Sequence, residues 1–147
     1  MRILALILAL LTTSVQAEPK FSDFPAERFS GATAKVKLSD QKSRQYASAL
    51  RASAKRRPDF AGHFVLATWG CGASCVMGAA IDAKTGAVTW IPFTVCCWSA
   101  SHSSPIDYQR NSRLLVVHGM RNETGLETDV GYFVFDGETF AELKPTP

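Results

Sequence analysis

Beyond Pro58 the chain is a succession of short apolar runs, each closed by turn residues, and this pattern limits the possible folds more than any other feature. The runs cover 62–70 (GHFVLATWG), 76–82 (VMGAAID), 87–93 (AVTWIPF), 113–119 (RLLVVHG), 130–136 (VGYFVFD) and 138–143 (ETFAEL). β-Branched and aromatic residues recur in them, and Ala83-Lys84-Thr85-Gly86 and Asp136-Gly137 carry hairpin-turn chemistry. Connections this short join antiparallel neighbours, so a meander is expected. Residues 114–117 and 132–135 are apolar on both faces and need cover on both sides.

One cover is a helix. Residues 40–57 are Ala-rich, with Tyr46, Ala49, Leu50 and Ser53 on one face and Lys42, Arg44, Arg51 and Lys55 largely elsewhere. Ser39 or Asp40 supplies the N-cap, Pro58 the stop, and Arg56 and Arg57 suit the negative end of the helix dipole. The other cover is the N-terminal segment bearing Phe21, Phe24 and Phe29, or a second, curled part of the sheet. The expected class is α+β, with one N-terminal helix packed on a five- or six-stranded, mainly antiparallel meander sheet. It forms a single domain over 39–147 behind an irregular lead-in at 18–38.

The first residues predict export. Met1-Arg2 is positive, residues 3–11 are apolar without interruption, and Val15-Gln16-Ala17 is a small-x-small cleavage pattern. Removal of residues 1–17 from the 147 leaves 130, enough for one domain with a true core. Nothing after Ala17 reaches the length of a membrane-spanning helix. Charge is polarised: Lys35, Lys37, Lys42, Arg44, Arg51, Lys55, Arg56 and Arg57 face only Asp40 within 35–57, whereas the remainder is mildly acidic. This pattern reads as a solvated helix face, and nucleic acid is not expected as a partner of an exported protein.

All four cysteines fall within 68–98: Cys71 and Cys75 close together, Cys96 and Cys97 adjacent. A meander brings all four to one end of the sheet. An oxidising compartment favours disulfides. Cys71 can bridge Cys75 across Gly72-Ala73-Ser74, or one or both can cross to Cys96/Cys97, and sequence alone does not decide. A local bridge leaves Cys96 and Cys97 free or in a vicinal ring. The Cys-x-x-x-Cys spacing in a hairpin tip does not match a catalytic dithiol at a helix N-terminus. An adjacent pair is also a poor chelator, so neither a metal nor a cofactor is expected.

The histidines lie on three segments. His63 begins a strand and His118 ends one, both expected opposite the cysteines; only His102 is near them. Cys97 or Ser101 with His102 forms a conceivable nucleophile–base pair, with Asp107 the one nearby acid. Asn122-Glu123-Thr124 matches a glycosylation sequon. Ile81 to Trp90 has the hairpin look of a propeller blade, but no repeat period supports a propeller.

The stretch FAGHFVLATWGCGASCVMGAAIDAKTGAVTWIPF, followed by SRLLVVHG and GYFVFDGETF, resembles an uncharacterised family of small exported bacterial proteins with a WGCGxSC hairpin motif. The resemblance covers about residues 58–143. It implies compartment and fold type, but no activity, cofactor or catalytic residue.

The functional expectation follows from the longest strand-free stretch, 99–112, which leaves the sheet at the cysteine end. The main reading is an exported, periplasmic or secreted, non-catalytic binding or inhibitor-type module. It would use a stapled rim and the candidates Trp69, Trp98, His102, Tyr108 and Arg110 against a protein or cell-envelope ligand. The alternatives are a cysteine-dependent envelope enzyme or redox protein, and a structural envelope protein.

Overall fold

A computed structural model describes residues 17–144; the expected signal segment lies, but for Ala17, outside them. The class is α+β, and the strands pair antiparallel. Two sheets form where one was expected. The first holds β1 (Phe64–Gly72), β2 (Cys75–Asp82), β3 (Val88–Trp90), β4 (Val95–Cys96) and β7 (Met120–Arg121). The second holds β5 (Ile106–Tyr108), β6 (Leu114–His118), β8 (Val130–Phe135) and β9 (Phe140–Glu142), side by side in that order. All six expected runs contain a strand. The additional strands β4, β5 and β7 are only two or three residues long, too short to leave a periodic signal. One of them, β5, lies inside the stretch expected to be strand-free.

Both faces of β1 and β2 are apolar, and that determines the layering. Phe64, Leu66 and Ala80 face the second sheet and join Leu115, Val117, Phe133, Phe135 and Phe60 in one buried cluster. Val65, Ala67, Ala79 and Ile81 point the other way and pack with Leu50. A sheet with two apolar faces needs two covers: here the second sheet on one side and the helical segment on the other. Each fully buried aliphatic side chain contributes roughly 1.5–3 kcal/mol. Arg121 of β7 reaches across to Glu142 of β9 at 2.6 Å and ties the sheets together at their margin.

The expected single helix is two short ones, α1 (Gln41–Gln45) and α2 (Ala47–Ser53). Asp40 is the N-cap, accepting from the Ser43 N–H at 2.7 Å. The break is at Tyr46, with φ −100° and ψ 22°, where the ring lies 5.4 Å from that of Trp69 and 5.8 Å from that of Trp90. Tertiary packing of this ring overrides local helix propensity. Lys42 is more than a solvated charge, since its ammonium sits 4.2 Å from the centre of the Trp90 ring. Arg56 lies beyond the helix end. It pairs with Asp59 and donates to the Leu66 carbonyl, each at 2.7 Å, so it holds the helix exit to β1.

The lead-in is irregular apart from a 3-10 turn at Phe21–Asp23. It runs as a strap over both sheets: Ala26 N–H donates to Asn111, Phe29 to Gly62, Ala34 to Ala83 and Lys37 to Gly86. Phe21, Phe24 and Phe29 are half-buried beneath it.

Candidate functional site at the corner between the sheets

The chain passes between the sheets three times, and the candidate site is at the corner where it does so. β4 leads out of the first sheet through residues 97–105 into β5, β6 leads back through Gly119 into β7, and β7 leads out again through residues 122–129 into β8. Pro92 lies in the break between β3 and β4, where a missing N–H interrupts the ladder. Ala79 faces Trp90, yet Cys75 faces Cys96, so the pairing slips by two residues. That slip puts Cys96 directly opposite Cys75 rather than diagonal to it.

The cysteines gather at one end of the first sheet. Cys71 and Cys75 form a disulfide across the hairpin tip, with Cα atoms 5.1 Å apart. Neither crossed bridge is made. Cys96 and Cys97 are free thiols with Sγ atoms 2.8 Å apart. The contact with Cys97, and after it burial, push the Cys96 thiol up to about 11. Such a thiol is protonated at neutral pH and a weak nucleophile.

His118 is not opposite the cysteines. In a single meander the end of its strand would have been remote from them. In the second sheet, β6 instead ends at the crossover, with Gly119 (φ +98°) packed against the Cys96 carbonyl and Trp98. The His118 N–H donates to the Pro105 carbonyl at 2.8 Å. The loop that carries His102 is closed on itself: the Trp98 indole N–H donates to the His102 carbonyl at 3.1 Å, and His102 N–H to Ser99 at 3.0 Å. These two anchors stack the imidazoles, with centroids 3.8 Å apart and planes 18° from parallel.

Asp107, on β5 one strand away, completes the group, its Oδ2 lying 2.9 Å from His118 Nε2. An ionised carboxylate only accepts, so this contact favours the tautomer with its proton on Nε2. One donor atom from each of His102, Asp107 and His118 can be chosen so that all lie within 4.8 Å of one another. An open cleft of about 200 Å³ adjoins the histidines, and Glu127, Asp129 and Val130 form its far wall. The large hydrophobic side chains most exposed among the described residues are Leu126 and Val130, both on this wall's segment.

Of the expected binding residues, only Trp98 and His102 are at this corner. Trp69 is half-buried in the aromatic group with Tyr46 and Trp90, on the helix side. Tyr108 turns its ring edge-on to Phe60, 6.0 Å away, at the core between the sheets. Arg110 is half-buried at the base of β1, where its carbonyl accepts from Gly62 and its guanidinium donates to Phe29 at 3.4 Å. His63 is remote from the corner, 3.8 Å from Asp82. The contributions of His118, Glu127, Leu126 and Val130 went unread in the sequence. The available signal was His118-Gly119: a glycine directly after an apolar strand marks a sharp change of direction.

Among the described residues no helix is long and apolar enough to cross a membrane. Compared with protein-family models, with curated proteins and with solved structures, the chain matches none.

Proposed function

We propose that the protein is an exported, non-catalytic binding module whose contact surface is the corner between the sheets. The observation that carries this reading is the exposed Val130 on the cleft that the stacked His102–His118 pair lines, with the exposed Leu126 next in the chain to its lining residue Glu127. Exposed apolar groups beside convergent polar ones are the usual composition of a binding surface. The Cys71–Cys75 staple and the paired strands behind the corner keep the surface rigid, which limits the ordering cost of association. The partner is a protein or cell-envelope ligand.

The test is capture from envelope extracts by immobilised protein. Leu126→Asp with Val130→Asp is expected to abolish capture without changing the melting temperature. Arg51→Glu with Lys55→Glu, which alters the basic groove beside α2, is expected to leave capture intact. Loss of capture only in the second variant would move the site to the helix side.

A second reading, cysteine-dependent chemistry, draws on the half-exposed Cys97 at φ +55° next to Trp98. The raised Cys96 thiol weighs against it. Rapid alkylation of Cys97 at neutral pH would favour it over the binding module.

A further inference from the structure

We propose that His102, Asp107 and His118 bind one divalent transition-metal ion of the zinc or copper class. This rests on the binding-module reading and names a ligand for its surface. Imidazole and carboxylate are the donors such ions take. With bonds of about 2.0–2.1 Å and tetrahedral angles, two donors on one ion lie about 3.3 Å apart. His118 Nε2 and Asp107 Oδ2 are 2.9 Å apart, so an ion replaces the shared proton with a small widening of that gap. The proton moves to Nδ1 of the same imidazole, which stays neutral and ligates through Nε2.

His102 supplies the third donor. Its ring is now stacked on His118 within 18° of parallel, and stacked rings point their nitrogens the same way rather than at a common point. His102 must therefore turn out of the stack. It can do so because it sits on the loop, half-exposed, while His118 is pinned in β6. The surroundings favour a cation: Glu127 and Asp129 line the adjoining cleft, and no Lys or Arg is among its lining residues. The Asp129 carboxylate already accepts from the Leu126 N–H at 2.9 Å. Glu127, Ser99 and Ser101, or water, are left to fill a fourth position.

The full-length protein, stripped with chelator and titrated with Co²⁺, is expected to show the visible bands of four-coordinate cobalt. They should saturate at one ion per chain and be displaced by Zn²⁺. His102→Ala, a loop change that spares the fold, and Asp107→Asn are each expected to weaken binding by at least the roughly 10–100-fold that losing an outer-shell partner of a ligand costs. His63→Ala should leave binding unchanged. No saturable binding, or undiminished binding by His102→Ala, would overturn the proposal. So would bands that disappear in a Cys96→Ser, Cys97→Ser variant and persist in His102→Ala, since they would assign the ion to the thiols. Partner capture that survives chelation while no metal binds would refute the metal site alone. Metal binding in a protein that captures nothing would leave the metal site standing and remove the binding-module reading.

Discussion

The crossover glycine offers the sharpest test of how this fold builds its corner. Gly119 and Gly137 both have left-handed backbones, φ +98° and +107°. They differ in what surrounds them. A Cβ on Gly137 would meet nothing within 4 Å, whereas one on Gly119 would lie 2.6 Å from the Cys96 carbonyl oxygen and 2.9 Å from Trp98 Cα and Cβ. Gly137→Ala therefore incurs only the backbone strain, about 1–2 kcal/mol. Gly119→Ala incurs the same strain and forces main chain apart, which adds about 2 kcal/mol, as overpacking does. For a domain of this size each kcal/mol lowers the melting temperature by about 3–5 °C. Gly119→Ala should then melt about 6–10 °C below Gly137→Ala in parallel thermal scans. Because His118 is the preceding residue, only the Gly119 variant should also disturb the corner, read as loss of capture. Equal melting temperatures would refute the close approach of Gly119 to the chain at Cys96 and Trp98.

Replacing Cys71 and Cys75 together by Ser should lower stability by no more than about 2 kcal/mol, because the closed loop is short; a larger loss in denaturant titration would mean the hairpin tip depends on the bridge. Trp98→Ala should cost about 1–2 kcal/mol, less than a full core truncation since the ring is half-buried, and should release His102 from the stack, seen as a shift of its ring proton resonances. Burial first, and Lys84 second, hold His63 below its ordinary value of 6.5 against the opposing pull of Asp82. The folded state thus binds fewer protons there, so this group's contribution to stability is present above pH 6.5 and lost as the pH falls through the lowered value. His63→Gln should flatten that part of the stability–pH curve, and an unchanged slope would exclude His63 as its source.

What the sequence determined by itself is local and periodic. Alternating apolar runs and the turns at 83–86 and 136–137 specify the strands, and Ser39-Asp40 marks where the helical segment starts, without choosing between the two as N-cap. Apolar character on both faces at 114–117 and 132–135 already called for two covers, although the strands sandwiched between the helical segment and the other sheet are β1 and β2. The tripeptide tip between Cys71 and Cys75 made a local bridge possible without selecting it over a crossed one.

Tertiary structure decided the rest, because it depends on contacts between segments far apart in the chain. The break at Tyr46 comes from Trp69 and Trp90 on strands, and no helix propensity records it. β4 and β5 exist because the longer strands β2 and β6 offer them edges, and β7 pairs in turn with β4; two or three residues have no period to read. The division into two sheets follows from the crossovers at 97–105, at Gly119 and at 122–129, and the first two reverse the expected place of His118. Its ring meets His102 and Asp107 only because β5 and β6 pair in one sheet while β4 and β7 pair in the other. A three-residue site drawn from a loop and two strands has no spacing signature, since its geometry is set by how the sheets pack.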